Sequence, residues 1–295
     1  MKEVASAPLT IERRSASSVA DYVQLAKPRL NLLVVATSAA GYYLGGPSSP
    51  DLALMAQAVA GTALVAGGAA VLNQVYERDT DALMRRTRLR PLPDGRVSPA
   101  DARLFGYGLT IAGLLLLATR ANWLAVALAF ATVFIYLVIY TPMKLLTPLS
   151  TLVGAVPGAL PALIGWTASH GSIAAGGATL FAIVFLWQIP HFMAIAWLYR
   201  DDYGKAGFPM LSVIDPSGVR SGHQAALFAA ALVPISLAPI TSPVSFALIL
   251  ALGLAQFALA LRFAIARSDA SARALFVGSI TYLPLLWAVM IVGKR

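Results

Sequence analysis

Acidic and basic side chains are concentrated in one stretch of the chain, residues 73–93, which reads NQVYERDTDALMRRTRLRPLP. If this stretch continues a helix, Asn73, Glu77 and Asp81 lie at positions i, i+4 and i+8 and share one face over two turns. That face is about 12 Å long at about 1.5 Å per residue, so one ion cannot touch all three side chains. Mg²⁺ prefers a few carboxylates together with phosphate oxygens and water. The spacing therefore favours a site for a diphosphate with its Mg²⁺ ions.

The same stretch carries five arginines, among them Arg86 and Arg90 beyond the acidic face. A guanidinium group binds phosphate oxygens through two parallel donors, so these arginines suit the remaining phosphate charge. The alternative is an ordinary cytoplasmic loop, which is basic because basic loops stay inside. That alternative explains the arginines but not the acids on one face. Asp79 lies off that face, and for it the functional and the solvated interpretations are equally open.

The composition indicates a polytopic membrane protein. Of 295 residues, 58% are hydrophobic and only 12% are charged, whereas soluble domains average about 25% charged residues. The chain has no cysteine, which excludes disulfides and thiolate catalysis, and its three histidines lie far apart, which argues against a zinc site. Basic cytoplasmic loops explain the net charge of +9 more simply than a nucleic-acid partner.

Nine apolar segments predict an all-α bundle of nine transmembrane helices. No polar linker divides the chain, so we expect a polar N-terminal tail over residues 1–26 and one transmembrane domain over residues 27–295. The predicted segments are 28–46, 52–75, 100–119, 121–140, 148–168, 172–199, 223–241, 243–266 and 271–292.

The distribution of lysine and arginine predicts the orientation of this bundle. With the N-terminus in the cytoplasm, all but three of the 22 basic residues lie on the inner side, the exceptions being Arg120, Lys294 and Arg295. We therefore expect the C-terminus outside and every acid-rich loop on the cytoplasmic face. A signal peptide is not expected, and the lack of an obvious transit peptide favours a bacterial cell (inner) membrane.

A second polar loop follows the sixth segment and contains four candidate residues, Asp201, Asp202, Tyr203 and Lys205. Like the first loop, it follows an even-numbered helix, so the two loops can face each other across one cavity. A charged pair on a loop is usually only solvated, and that interpretation stays open for this loop by itself.

Other basic and ionisable residues have both structural and functional interpretations. Lys27 and Arg29 flank Pro28 at the start of the first helix, as interfacial anchors or phosphate contacts. Lys144 is a topology determinant, a snorkelling lysine or a phosphate contact from a third direction. His191 follows Pro190 inside segment six, and a haem ligand, a proton carrier and a packing residue all remain open for it. From the residues alone, packing ranks first for His191.

A glycine- and proline-rich stretch, residues 154–161, lies inside the fifth segment. Two prolines within eight residues predict a kinked or locally unwound helix that faces protein or a cavity. It either makes room for a bulky substrate or forms a close-packing seam.

Taken together, nine helices with Asn73-x3-Glu77-x3-Asp81 and a second aspartate loop resemble the intramembrane UbiA-type prenyltransferase superfamily. Within it the chain is most similar to the haem O synthases (protohaem IX farnesyltransferases), although Glu77 stands where many superfamily members carry aspartate. The closer resemblance rests on Lys27-Pro28-Arg29, Glu77-Arg78-Asp79-x-Asp81-Ala82-Leu83-Met84, Arg86-Thr87, Arg90-Pro91-Leu92, Tyr140-Thr141, the stretch 154–166, His191-Phe192 and Asp202-Tyr203-x3-Gly207-x-Pro209-Met210-Leu211.

This resemblance implies farnesyl transfer from farnesyl diphosphate to the vinyl group of haem B, with addition of water, giving haem O and diphosphate. It implies Mg²⁺ ligation by Asn73, Glu77 and Asp81 with Asp201 or Asp202. It implies that the substrate-binding residues are Lys27, Arg29, Arg86, Arg90, Lys144, His191, Tyr203 and Lys205, with His191 holding haem. A haem A synthase partner follows from pathway logic only.

Two alternatives remain open at this stage. One is a prenyltransferase of the same fold with another acceptor, such as 4-hydroxybenzoate, a naphthoate or chlorophyllide. The other is a secondary transporter that uses its acids to bind cations. Transporters tend to place charges near the bilayer midplane, whereas the carboxylates here lie at one edge, which disfavours that alternative.

Overall fold

The computed structural model describes residues 17–47 and 49–294, and every regular element in these two ranges is helical. Residues 1–16, 48 and 295 lie outside the described residues, and with them Lys2, Arg13, Arg14 and Arg295 of the predicted charge pattern. In chain order the helices are α1 (Val19–Leu25), α2 (Pro28–Gly45), α3 (Leu52–Tyr76), α4 (Arg78–Leu83), α5 (Pro99–Arg120), α6 (Trp123–Phe134), a π-helix (Ile135–Tyr140), α7 (Thr141–Met143), α8 (Ser150–His170), α9 (Ala175–Leu198), α10 (Arg200–Lys205), α11 (Leu211–Ile214), α12 (Val219–Leu237), α13 (Pro243–Ala266) and α14 (Asp269–Gly293).

Seven helical runs have the length and composition of a membrane span: α3, α5, the continuous run Trp123–Met143, α8, α9, α13 and α14. The other two long helices of the described ranges, α2 and α12, carry polar residues such as Asn31 and His223 and fall outside this group. All nine coincide with the predicted apolar segments. Membrane crossing by α2 and α12, and the cytoplasmic position of the N-terminus, stay predictions.

Small residues let the helices approach closely, as is usual where helices pack in lipid. At Gly165 of α8, an added Cβ would lie 1.9 Å from the backbone oxygen of Ser38 in α2. At Gly68 of α3, it would lie 2.6 Å from the backbone oxygen of Gly106 in α5. These contacts fix the spacing of α2 against α8 and of α3 against α5, and they leave no room for larger side chains at the two seams.

The glycine- and proline-rich stretch stays helical, so the predicted local unwinding does not occur, whereas the alternative, a kink, stays a prediction. Pro157 and Pro161 both lie inside α8, which runs without interruption from Ser150 to His170. Gly154, Pro157, Gly158 and Pro161 line a cavity, while Gly165 forms the seam with α2. The stretch 154–161 therefore lines a cavity, and the close seam with α2 lies just beyond it; a bulky substrate in that cavity stays a prediction.

Two contacts hold the polar loops at one end of the bundle. The segment after α4 is tied to α1 by an ion pair between Arg96 and the buried Asp21. Met84 from the first loop packs with Phe208 and Met210 from the second loop in one apolar cluster. The two loops that sequence analysis singled out are therefore packed against each other.

Candidate active site

A charged cavity of about 120 Å³ lies where the first polar loop meets the helix ends. It contains both acids and bases, and most of its walls are polar or aromatic. The lining residues are Lys27, Asn73, Glu77, Asp81, Met84, Arg86, Arg90, Tyr136, Tyr140, Lys144, Tyr203, Phe208 and Met210. Eight of these were predicted from the sequence as site residues, and they come from both ends of the first loop, from the start of α2, from the Lys144 turn and from α10.

The acidic face of the first loop forms because helical hydrogen bonding continues through the junction between α3 and α4. The Glu77 amide donates to the Asn73 carbonyl at 2.9 Å, and the Asp81 amide donates to the Glu77 carbonyl at 2.7 Å. These i to i−4 bonds keep the helical phase even though Glu77 lies between the two helices. Asn73, Glu77 and Asp81 therefore all reach the cavity, whereas the side chain of Asp79 is 85% exposed and pairs only with Arg78.

Glu77 is held from two sides. Lys144 Nζ donates to Glu77 Oε1 at 2.5 Å, and Asn73 Nδ2 donates to Glu77 Oε2 at 2.7 Å. Asn73 Oδ1 in turn accepts a hydrogen bond from Thr141 Oγ1 at 2.8 Å. The first acid of the loop is thus positioned by the turn that contains Lys144, and a phosphate contact of that lysine stays a prediction.

Asp81 is the most deeply buried acid of the cavity, at 1% exposure. Arg90 donates to its Oδ2 at 2.6 Å, while Thr87 Oγ1 donates to its backbone oxygen at 2.7 Å. Burial raises the pKa of Asp81 above its ordinary value, and the charge and hydrogen bond of Arg90 oppose that rise. The charge of Arg90 therefore stabilises the ionised form of the Asp81 carboxylate against the effect of burial.

Lys27 enters the cavity through an unusual backbone conformation. Its φ of 50° and ψ of 56° are left-handed, which costs energy for a residue with a Cβ. The turn is stabilised by Asn31, whose side chain donates to the Ala26 carbonyl at 2.6 Å. Burial, and after it the charge of Arg90, lowers the pKa of Lys27 to about 7. The cavity thus contains an amine that gains or loses its proton near neutral pH.

Two tyrosines of the cavity wall were not among the predicted site residues. Tyr136 and Tyr140 stack at a centroid distance of 5.3 Å, and both lie in the π-helix Ile135–Tyr140. The Thr141 amide and hydroxyl both bond the Tyr136 carbonyl, which closes the wide π turn. π-helical turns occur frequently at functional sites. The motif Tyr140-Thr141 pointed to this place, but no periodicity argument could locate Tyr136, because a π turn changes the helical register.

Arg86 links the two polar loops. Its guanidinium donates to the Tyr203 hydroxyl at 3.2 Å and lies 4.5 Å above the ring of Tyr199, and its amide donates to Asp202 at 3.4 Å. However, Asp201 and Asp202 line a neighbouring cavity rather than the charged cavity. Of the candidates in the second loop, Tyr203 lines the charged cavity together with the acids of the first loop. Asp201 and Asp202 instead share the neighbouring cavity with Arg86.

The two remaining basic candidates lie apart from this cluster. Arg29 and Lys205 are both exposed, and neither lines the charged cavity in the part of the chain that the structure describes. Arg29 is in the first turn of α2 and Lys205 is the last residue of α10. The predicted anchoring role suits Arg29 in this position better than a contact with phosphate.

A larger apolar cavity of about 310 Å³ adjoins the charged one and shares Lys27, Tyr136 and Tyr140 with it. Its walls come from α2, α3, α6, the π-helix, α8 and α9, and they include Gly154, Pro157, Gly158 and Pro161 of α8. It gives a space next to the charged groups that is bounded mostly by apolar side chains.

His191 lines a third cavity of about 150 Å³, which shares Leu30, Val34, Gly158, Gln188 and Phe192 with the apolar cavity. The three cavities therefore form a series from the charged end of the bundle toward His191. A charged region, an apolar region and an imidazole therefore line neighbouring cavities.

The donors of the charged cavity fit Mg²⁺ shared with phosphate. Asn73, Glu77 and Asp81 offer one amide oxygen and two carboxylates on one face. Within residues 17–47 and 49–294, no three histidine or acidic side chains converge tightly enough to hold an ion by themselves. Mg²⁺ commonly keeps several ligands from water and substrate, so this donor set suits ions that a diphosphate completes.

Comparison with known proteins gives both the sequence family and the fold. Residues 34–288 match the sequence profile of the UbiA prenyltransferase family. A protoheme IX farnesyltransferase of Solibacter usitatus is 40% identical over 287 residues, which cover 93% of this chain and 98% of that protein.

Two solved structures share the fold. A digeranylgeranylglyceryl phosphate synthase superposes with a TM-score of 0.78 at 17% identity, over 93% of this chain and 98% of that one. A UbiA homologue from Archaeoglobus fulgidus, solved with GPP and Mg²⁺, superposes with a TM-score of 0.67 at 18% identity, over 92% of this chain and 99% of that one.

Proposed function

Because this chain belongs to the UbiA prenyltransferase family, we propose that it transfers a farnesyl group from farnesyl diphosphate to the vinyl group of haem B. One water is added, and the products are haem O and diphosphate. The observation that carries the proposal is the 40% identity to a protoheme IX farnesyltransferase over nearly the full length of both chains. The resemblance inferred from the sequence motifs is thereby confirmed at the level of the family.

The series of cavities supports this assignment. The diphosphate head fits the charged cavity, and the farnesyl chain fits the adjoining apolar cavity of about 310 Å³. Haem B then lies on the His191 side, where the third cavity adjoins the second. In this order the allylic carbon, which is bonded to the diphosphate, lies where the charged cavity meets the apolar cavity, and the vinyl group of haem B must reach that position for the transfer.

Asn73, Glu77 and Asp81 are the residues that would hold Mg²⁺, with Asp202 or Asp201 reaching the outer side of the diphosphate. Bound Mg²⁺ supplies positive charge that neutralises the diphosphate as it leaves. Positive groups around the cavity add to that effect, because they stabilise charge that develops in the transition state. The groups available for this are Lys27, Arg86, Arg90 and Lys144.

The cations Lys144 and Arg90 have two alternative partners in this scheme. Here they neutralise Glu77 and Asp81 at 2.5 and 2.6 Å. When those carboxylates bind metal, the cations are released toward the phosphate oxygens that arrive with it. The site would thus exchange these two internal ion pairs for contacts with the substrate.

The apolar cavity protects the reaction. The allylic cation that forms when the C–O bond breaks reacts readily with water, and a space bounded by apolar and aromatic side chains limits that side reaction. Tyr136 and Tyr140 line both the charged and the apolar cavity. Their ring faces can stabilise a nearby positive charge.

The membrane arrangement completes the proposal. All nine long helices cross a bacterial inner membrane, the N-terminus and the charged cavity are cytoplasmic, and residues 27–295 act as one domain. The distribution of lysine and arginine supports this orientation. Haem A synthase is the partner that consumes haem O in this scheme.

The test is an assay of the purified protein in detergent with haem B, farnesyl diphosphate and Mg²⁺. The haem pigments are separated by chromatography and identified by mass spectrometry. We expect a hydroxyethylfarnesyl haem that disappears with EDTA. Prenylation of a phenolic acid in place of haem would keep the fold and the metal site and overturn the acceptor.

A further inference from the structure

Ser279 on α14 is the centre of a small hydrogen-bond network around His191. His191 Nδ1 lies 2.7 Å from Ser279 Oγ, and Trp187 Nε1 donates to the backbone oxygen of Ser279 at 2.7 Å. The imidazole also stacks on Trp187 and on Phe276, each at a centroid distance of 5.1 Å. The ring of His191 is therefore fixed in position by α9 and α14 together.

The hydroxyl of Ser279 has only one proton, and that proton is already used. Ser279 Oγ lies 2.6 Å from the backbone oxygen of Phe276, and a carbonyl can only accept, so the hydroxyl must donate to it. Its lone pairs are then what faces His191 Nδ1. The imidazole must consequently donate from Nδ1, which makes it the tautomer with a hydrogen on Nδ1 and a free lone pair on Nε2.

The free nitrogen faces no protein partner among the described residues, since the hydrogen bond of His191 to Ser279 involves Nδ1. His191 lines the cavity of about 150 Å³ at the inner end of the cavity series. No acid or base lines this cavity besides His191 itself. A neutral imidazole with an available Nε2 in an apolar cavity is a ligand for a soft or borderline metal centre rather than for an anion.

We propose that Ser279 is a positioning residue that holds His191 with Nε2 free to bind the iron of haem B axially. The inference rests on the proposed function, in which haem B is the acceptor substrate. A ligating histidine commonly donates its other N–H to a fixed acceptor, which sets the ring orientation and raises the basicity of the ligating nitrogen. Ser279 supplies that acceptor here, and iron ligation would hold haem B on the side of the apolar cavity that His191 occupies.

The experiment measures haem B binding to the full-length protein in detergent, without farnesyl diphosphate, by absorbance titration and by resonance Raman spectroscopy of the ferrous complex. Ser279→Ala should weaken haem binding roughly 10- to 100-fold and move the iron–histidine stretching band to lower frequency. The Trp187 contact is to the backbone of residue 279, so this substitution leaves it in place. His191→Gly should lose the band, and added imidazole should restore it.

A matched control is Ser236→Ala, which removes another buried serine hydroxyl bonded to α14, at 2.8 Å from the Tyr282 hydroxyl. It should leave both the affinity and the band unchanged. The inference is overturned if Ser279→Ala behaves like Ser236→Ala, or if His191→Gly keeps the ligand spectrum of the unmodified protein. If the protein forms haem O but shows no iron–histidine band, the proposed function stands and this inference is wrong. If the protein binds haem through His191 but forms no haem O, this inference stands and the proposed function is wrong.

Discussion

The charged cavity and the His191 cavity hold their key groups in opposite ways. In the first, Lys144 pairs with Glu77 and Arg90 pairs with Asp81, while two further cations, Lys27 and Arg86, line the same cavity. Each of the two ion pairs can be exchanged for contacts with a ligand. In the second, one neutral imidazole is fixed by two aromatic rings and one serine. Under the proposed function this difference has a physical reason. Exchangeable ion pairs suit a charged group that must enter and leave, whereas rigid packing suits the orientation of a large planar acceptor.

The largest effect should come from removing an acid of the charged cavity. Asp81→Asn takes away a proposed metal ligand and leaves Arg90 without its carboxylate partner, so the rate of haem O formation should fall about 10²- to 10³-fold. The matched control is Asp79→Asn, because Asp79 is 85% exposed and lies off the face. Equal losses for the two variants would refute the assignment of the acidic face.

Exchange of ion pairs predicts that metal and diphosphate bind cooperatively. Metal alone must displace Lys144 from Glu77, whereas diphosphate offers Lys144 a new partner. Inorganic diphosphate should therefore lower the Kd of Mn²⁺ about tenfold or more. Electron paramagnetic resonance measures this Mn²⁺ binding. In Lys144→Met, Mn²⁺ should bind more tightly without diphosphate, and the enhancement by diphosphate should shrink.

Lys205→Met is the control for that measurement, since Lys205 is exposed and lies outside the charged cavity. Its Mn²⁺ affinity and the enhancement by diphosphate should match those of the unmodified protein. Weaker Mn²⁺ binding in Lys144→Met without diphosphate would contradict the exchange.

The apolar cavity should respond to added volume without a change at the metal site. A Cβ at Gly158 would lie 2.0 Å from Oε1 of Gln188, so Gly158→Ala adds a methyl group to the wall of the apolar cavity and displaces the Gln188 side chain, which lines the same cavity. We expect KM for farnesyl diphosphate to rise about tenfold, which corresponds to roughly 1.4 kcal/mol, with Mn²⁺ binding unaffected. Gly108→Ala is the matched control, because nothing lies within 4 Å of its added Cβ. A similar KM in both variants would place the prenyl chain elsewhere.

The smallest effect concerns the proton on Lys27. Its pKa of about 7 means that the free protein holds this amine mostly neutral at pH 8, because burial and Arg90 disfavour its charge. Glu77 and Asp81 oppose that effect, while Lys144 adds to it. A bound diphosphate favours the protonated amine, so binding at pH 8 should take up nearly one proton. The affinity should fall about fivefold between pH 7 and pH 8.

Calorimetry in buffers of different ionisation enthalpy measures that proton uptake. Lys27→Met should abolish the Lys27 contribution and leave only the protonation of diphosphate itself.

The lowered pKa of Lys27 also affects the stability of the fold. Between pH 7 and the ordinary lysine pKa, the unfolded chain binds the proton and the folded chain does not. Stability should therefore rise with pH across that window and level off below pH 7. Proton uptake that is identical in the variant would show that Lys27 does not face the diphosphate.

Local periodicity was sufficient for much of this protein. The face formed by Asn73, Glu77 and Asp81 follows from helical spacing, because its hydrogen bonds join residues four positions apart. The nine long helices follow from apolar runs, and the family follows from motifs that lie within short stretches. For α3, the predicted segment 52–75 and the observed Leu52–Tyr76 differ by one residue.

Only the tertiary structure decided which groups meet. The contact of Lys144 with Glu77 spans 67 positions and that of His191 with Ser279 spans 88, and no local pattern encodes such pairs. Tyr136 reached the charged cavity through a π turn that breaks the α-helical register. Asp201 and Asp202 were placed behind Arg86 by the packing of Met84 against Phe208. The sequence determined the helices and the chemical types at their ends, and long-range packing determined the partners, since those depend on how helices distant in sequence are positioned against one another.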